Sequence, residues 1–205
     1  MTTKNLLFDL GGVILNIDRM KCVEALKKIG MPHPEELLGD YGQKGPFLAL
    51  ERGEITPEQF RTQLRQYFER PVTDDAIDEA FCEFLRGIPV ERLHSLKQLR
   101  QKGFGIYLLS NTNALMWERY IIPEFTKDGH NINHYFDGII TSFEVKAYKP
   151  EAAIFRATID RLGINPAETL FFDDSQANLD GAAKLGFKTA LVTDDNGFMN
   201  QIPAE

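Results

Sequence analysis

From residue 90 onward, apolar runs of strand length alternate with amphipathic helical repeats, and this alternation restricts the possible folds more than any other feature. VERLHSLKQLRQKG repeats Leu93, Leu96 and Leu99 at helical spacing and stops at Gly103, and FGIYLLS follows as a buried strand. NTNALMWERYI predicts a helix and DGIITS a strand; KPEAAIFRATIDRLG predicts a helix opened by Pro150 and closed by Gly163, and TLFFD the next strand. Residues 176 to 185, QANLDGAAKL, predict a last helix closed by Gly186, followed by the strand KTALVT. Strands separated by helices require crossovers, which implies a parallel sheet wrapped by helices on both faces. Far upstream, LLFDLGGVIL opens with an unbroken apolar run at residues 6–8, a strand of the same doubly covered kind.

A parallel crossover needs only a dozen or so residues, yet a long segment without strand-like alternation separates that first strand from residue 90. Helical patterns fill it. Residues 19–29, RMKCVEALKKI, place Met20, Val23, Ala25, Leu26 and Ile29 at near-helical spacing before Gly30. ITPEQFRTQLRQYFER offers Thr56, Pro57 and Gln59 as a capping-box start, and residues 74–85 repeat the spacing with Ile77, Phe81, Phe84 and Leu85. The economical reading is an α/β core built from residues 1–17 and 90–205, with an inserted α-helical cap domain at 18–89 that closes over the sheet and excludes water.

The balance of 43% hydrophobic and 26% charged residues supports a packed core rather than disorder. A formal net charge of −7 opposes non-specific binding to nucleic acid or an anionic membrane, so neither is expected as a partner. Cys22 and Cys82 are the only cysteines and sit in helix-like patterns, which argues against a disulfide framework and for a reducing compartment. No apolar run approaches the roughly 18 residues of a membrane span, and MTTKNLLFDLGG shows no long apolar leader. These features predict a cytoplasmic location.

Four segments place polar groups at strand ends or helix starts: FDLGGV with Asp9, LLSNTN with Ser110 and Asn111, KAYKPE with Lys149, and FFDDS with Asp173 and Asp174. In an open parallel sheet such positions converge on one rim, where ligands collect. Singly, each has a plain structural role: Asp9 a turn, Ser110 a helix cap, Lys149 a solvated lysine, and the Asp173–Asp174 pair another cap. Jointly they share no structural purpose. Three carboxylates in one crevice need raised pKa values or a cation, and Mg²⁺ suits oxygen ligands such as Asp9, Asp173 and the Gly11 carbonyl, with Asp174 orienting a water or neighbour. Lys149 adds a point charge for a phosphate and for the nucleophile. Ser110 and the backbone N–H groups after it, Asn111 included, suit phosphate oxygens. Together they describe phosphoryl transfer on a small phosphorylated substrate.

These four segments, in this order, resemble the motifs of the haloacid dehalogenase-like hydrolases, and the resemblance covers essentially the whole chain. It implies a Rossmann-like core with an inserted helical cap, Mg²⁺-dependent phosphatase activity, and attack by the Asp9 carboxylate to form an aspartyl-phosphate that water hydrolyses. Ser110 and Lys149 would hold the phosphoryl group, and Asp9, the Gly11 carbonyl and Asp173 the metal. DLGGV, ERGEIT at residues 51–56, LLSNTN and FFDDS are most similar to a bacterial subgroup that includes a glucose-1-phosphate phosphatase.

One departure stands out: phosphatases of this family usually carry a second Asp two positions after the nucleophile as general acid and base, and here that position is Gly11. Such catalysis contributes about 10² to 10⁴ in rate, so metal, lysine and nucleophile retain most of the acceleration. Asp18, a bound water or a substrate hydroxyl is expected to substitute. The competing readings are a catalytically silent phosphometabolite-binding protein, a metal-free dehalogenase and a phosphosugar mutase. Retention of Asp9, Lys149, Asp173 and Asp174 opposes the first, the FFDDS pair the second, and the absent acid the third. His33, His94, His130 and His134 match no zinc spacing, and Trp117, Tyr120 and Phe125 are read as lining either the pocket entrance or the core.

Overall fold

The computed structural model describes residues 2–39, 42–193 and 197–202. Five strands, β1 (Asn5–Phe8), β2 (Gly105–Ser110), β3 (Gly138–Thr141), β4 (Thr169–Asp173) and β5 (Lys188–Leu191), form one sheet in the order β3-β2-β1-β4-β5. All neighbours are parallel, and Phe8 is in register with Leu108 on one side and Phe172 on the other. This is the Rossmann-like α/β arrangement that the alternation predicts. The apolar runs are unbroken because both faces are buried: Leu6, Phe8, Leu108 and Phe172 pack into one cluster, while Leu7, Leu109, Ile140 and Phe171 pack into the other. Strand order reverses at β1, so the carboxyl ends of β1 and β4 flank the crevice in which a doubly wound sheet binds ligands.

Between β1 and the next core helix the described chain forms helices α1 (Arg19–Ile29), α2 (Gly45–Glu51), α3 (Pro57–Leu64) and α4 (Asp74–Cys82). Asp18 caps α1 by accepting from Lys21 N–H at 3.2 Å, and Gly30 ends the helix at φ +107°. Thr56 and Gln59 form the expected capping box on α3. Phe47, Phe60 and Phe81 meet at centroid separations of 5.0 to 5.3 Å, tying α2, α3 and α4 together. The buried residues of this block and those of one sheet face form a single continuous cluster. The two connecting segments run side by side: Asn16 N–H donates to Gly87 (3.0 Å), Asp18 N–H to Phe84 (2.8 Å) and Arg86 N–H to Asn16 (2.7 Å). Arg92, buried on α5 (Val90–Gln101), donates to the Ile14 carbonyl and to Asn16 Oδ1, which braces the first connection.

Beyond β2 the helix expected over NTNALMWERYI begins at Ala114 and is irregular. A five-residue π-helical stretch, Trp117–Ile121, separates α6 (Ala114–Met116) from α7 (Ile122–Glu124). Pro123 has no N–H to continue the α ladder, so the register shifts ahead of it. Phe125 is a core residue, and Trp117 and Tyr120 pack partly buried against the same cluster. After α8 (Ser142–Val145), helix α9 (Ala152–Leu162) starts two residues later than Pro150 suggests, because Glu151 N–H turns back onto the Tyr148 carbonyl at 2.8 Å. α9 and α10 (Gln176–Ala183) cover the second sheet face with Ile154, Phe155, Leu179 and Ala182. Among the described residues no helix is long and apolar enough to cross a membrane.

Candidate active site

Asp9 follows β1 directly, and the backbone then folds tightly: Ile14 and Leu15 N–H both donate to the Leu10 carbonyl, and Gly12 N–H to Leu15. Gly12 sits at φ +74°, and a Cβ there would run into the Asp174 carboxylate, so the turn admits only glycine. Asp9 Oδ1 accepts from Leu10 N–H and from Lys149 Nζ, each at 2.7 Å. Lys149 Nζ lies equally close, 2.7 Å, to Asp173 Oδ2 at the end of β4. The lysine is 1% exposed, the opposite of a solvated side chain. Asp173 Oδ1 accepts from Ser175 N–H and Asn178 Nδ2, both at 2.9 Å, so it also braces the entry to α10.

Ligand oxygens of Asp9, Asp173 and Asp174 all lie within 4.8 Å of one another, and this is the metal-binding grouping found among the described residues. Burial, reinforced by Asp173 and Asp174 and opposed by Lys149, pushes Asp9 up to about 8. Burial and Asp173 also raise Asp174. Burial works against the Lys149 charge, but Asp173 and Asp9 outweigh it and hold its pKa above the ordinary value. Three carboxylates around one ammonium leave an excess of negative charge, and the donors are all oxygen. That set fits a hard divalent cation such as Mg²⁺.

Ser110 is buried at the end of β2 and is not a helix cap; Asn113 takes that role, accepting from Met116 N–H at 2.9 Å. Asn111 uses its side chain on Lys149, accepting from the Lys149 N–H at 2.9 Å and donating to its carbonyl at 3.1 Å. Its amide therefore positions the lysine, and its main-chain N–H is what remains for an anion. Asp18, occupied as the α1 cap, is not among the residues lining the crevice. A Cβ on Gly11 would stand 3.4 Å from Ile17, which fills the space beside that position.

Above this floor is a cavity of about 140 Å³. Ile17, Phe81, Phe84 and Leu85 supply an apolar wall, whereas Gln43, Glu51, Asn111 and Tyr148 supply polar groups. Gln43 Oε1 is buried and without a hydrogen-bond partner among the described residues. Glu51, Gln43 and Tyr148 carry no local signal that marks them as site residues: ERGEIT contributes to the family resemblance, but Glu51 is an ordinary helix-ending glutamate until α2 docks. The histidines stay outside the site, and His130 stacks on His134 with centroids 3.8 Å apart.

A doubly wound parallel sheet with acidic groups and a buried lysine at its switch point defines the class of α/β proteins that bind ligands in that crevice. A family model described as haloacid dehalogenase-like hydrolase matches residues 3–186, and the chain belongs to that family. A D-ribitol-5-phosphate phosphatase of Bacteroides thetaiotaomicron is 37% identical over 186 residues, covering 91% of this chain and 90% of that protein. A crystal structure of a HAD family enzyme from Bacteroides thetaiotaomicron, in complex with magnesium and inorganic phosphate, superimposes with a TM-score of 0.93 at 38% identity over 98% of this chain and all of that one. A HAD-like family hydrolase of Porphyromonas gingivalis gives a TM-score of 0.89 at 34% identity, covering 98% and 97% of the two chains.

Proposed function

We propose that the protein is a Mg²⁺-dependent phosphatase of a small phosphorylated metabolite, a sugar or sugar-alcohol phosphate, acting through an aspartyl-phosphate on Asp9. The observation that carries this reading is Lys149 Nζ at 2.7 Å from both Asp9 and Asp173. It keeps the Asp9 carboxylate oriented with Oδ1 engaged, while Oδ2 has no hydrogen bond among the described residues and is the oxygen suited to attack phosphorus. Asp9, Asp173 and the Gly11 carbonyl would hold Mg²⁺, with Asp174 beside them, and the ion supplies positive charge for phosphoryl oxygens. The Ser110 hydroxyl and the Asn111 N–H face the same oxygens, and Lys149 stabilises charge that builds during transfer. Water then displaces the phosphoryl group from Asp9.

The D-ribitol-5-phosphate phosphatase, 37% identical, supports a polyhydroxylated substrate. Gln43 Oε1, buried and unpartnered among the described residues, is an acceptor suited to a substrate hydroxyl. Residues 18–89 serve as the cap, hinged where residues 16–18 run beside 84–87. The cytoplasm suits two free thiols, both unreactive because burial raises Cys22 to about 12 and Cys82 to about 11.

The test is phosphate release by purified protein, with and without Mg²⁺, from ribitol 5-phosphate, glucose 1-phosphate, p-nitrophenyl phosphate and acetyl phosphate. The expected result is Mg²⁺-dependent turnover that falls more than about 10³-fold in Asp9→Asn. Absence of turnover on the whole panel would leave a phosphometabolite-binding protein instead, and equal turnover by Asp9→Asn would exclude Asp9 as the nucleophile.

A further inference from the structure

Expelling a sugar alkoxide requires a proton, and position 11 has no side chain to give one. Among the described residues, the titratable groups lining the cavity are Asp9, Asp174, Lys149, Tyr148 and Glu51. Asp9 and Asp174 belong to the acidic cluster, and Lys149 is occupied by two carboxylates. Tyr148 is half-buried beside Glu51, and its desolvation and that carboxyl push its pKa far above the ordinary range and keep it neutral. Glu51 remains, at the carboxyl end of α2 and 9% exposed.

Three contacts deliver it to the cavity. The Ser142 hydroxyl accepts from Thr112 N–H at 3.0 Å and donates to the Glu51 carbonyl at 2.6 Å, so the phosphate-side loop and the end of α2 share one link. Arg52 is ion-paired with Glu151 and lies 5.8 Å over the Tyr148 ring. Gly53, at φ +62°, approaches the Phe143 carbonyl so closely that no Cβ would fit. Tyr148 lines the cavity together with Glu51 and Asn111, whose side chain itself holds Lys149. A carboxyl from the inserted helices is thus fixed against the core segment that carries the catalytic lysine.

We propose that Glu51 is the catalytic proton donor and acceptor of this site, supplied by the inserted helices rather than by the loop after Asp9; the proposal rests on the phosphatase reading above. As an Asp9 oxygen bonds to phosphorus, the bond from phosphorus to the ester oxygen breaks. That oxygen keeps the electron pair, takes the Glu51 proton and leaves as the neutral alcohol. Glu51, now a carboxylate, removes a proton from the water whose oxygen bonds to phosphorus while the bond between Asp9 and phosphorus breaks. Asp9 returns as a carboxylate and Glu51 as an acid. Burial raises Glu51 to about 7, against the hydrogen bond from Tyr148, so both forms are populated near neutrality. Sharing the cavity with it are Tyr148, Asn111 and Gln43, with Lys149, Asp9 and Asp174 on the cavity floor and Arg52 ion-paired with Glu151.

The experiment compares kcat/KM, which reports the step that expels the leaving group, for ribitol 5-phosphate or glycerol phosphate against acetyl phosphate. In Glu51→Gln the ratio of alkyl ester to acyl phosphate is expected to fall about 10²-fold or more, because acetate leaves without a proton. The decline of the alkyl-ester profile above about pH 7 should vanish in the same variant, and Glu51→Asp should restore part of the ratio. Equal losses on both substrates would make Glu51 structural, and no loss would exclude it; either outcome overturns the proposal. Wild type that releases no phosphate even from acetyl phosphate with Mg²⁺ would refute the phosphatase reading, and the proposal with it. Should a low thermal midpoint at pH 5 reveal that Glu51→Gln is misfolded, Glu51→Asp decides: a selective fall in its alkyl-ester ratio supports the proposal, and an equal loss on both substrates overturns it.

Discussion

Lys149 and Glu51 are both buried in the same site, yet they meet burial in opposite ways. Lys149 stays charged because two carboxylates stand 2.7 Å away, whereas Glu51 has only a tyrosine hydroxyl and shifts toward its neutral form. The second case has a consequence for stability. The folded pKa of Glu51, about 7, lies above its ordinary 4.5, so the native state binds this proton more tightly than the unfolded chain. Its contribution favours folding below pH 4.5 and is lost as pH rises through about 7. Relative to Glu51→Gln, wild type should therefore lose on the order of 2–3 kcal/mol between pH 5 and pH 8, measured by urea unfolding of both proteins. Parallel pH curves would contradict this. Asp9, Ser110, Lys149 and Asp173 are visible in the sequence because each follows an apolar run or precedes a helix. The Asn111 side chain is not: it grips the Lys149 main chain, a pairing 38 residues apart in sequence that local pattern does not encode.

Among the helices, α4 provides a charged tie between the inserted block and the core. Asp78, buried on α4, accepts two hydrogen bonds from Arg61 of α3, each 2.8 Å, and one from Arg119 at 3.0 Å on the π-helical stretch of the core. Removing one member of a buried charge cluster leaves the others uncompensated. Asp78→Asn should lower unfolding free energy by about 3 kcal/mol, with faster proteolysis at residues 84–87; an unchanged urea midpoint would show that the cluster does not lock the block. Helix stops at Gly30, Gly103, Gly163 and Gly186 are legible in the sequence, and all four take positive φ there. α2 is not, since GPFLALE is two turns long and opens with glycine and proline, too short for a helical period to register. The π-helical stretch is also hidden, because it depends on the missing N–H of Pro123 and on a partner in α4.

At the scale of the molecule, β1 and β4 place Asp9 and Asp173 on the two sides of the switch point, and the insertion after Asp9 brings Glu51 over them. The sheet and its acidic rim follow from strand periodicity, which a single sequence displays. The closing contact does not, because Glu51 and Ser142 lie 91 residues apart and meet only when the inserted helices are seated on the core. An overall charge of −7 makes the buried lysine and a divalent cation the local exceptions that admit an anionic substrate. The central claim, that Asp9 itself carries the phosphoryl group, is tested by rapid acid quench during turnover with Mg²⁺ and acetyl phosphate, followed by peptide mass analysis. A phosphoryl group on the peptide containing Asp9, lost in Asp9→Asn, is the result expected; phosphate release at the wild-type rate from Asp9→Asn, or a phosphoryl group on a different residue, would contradict it.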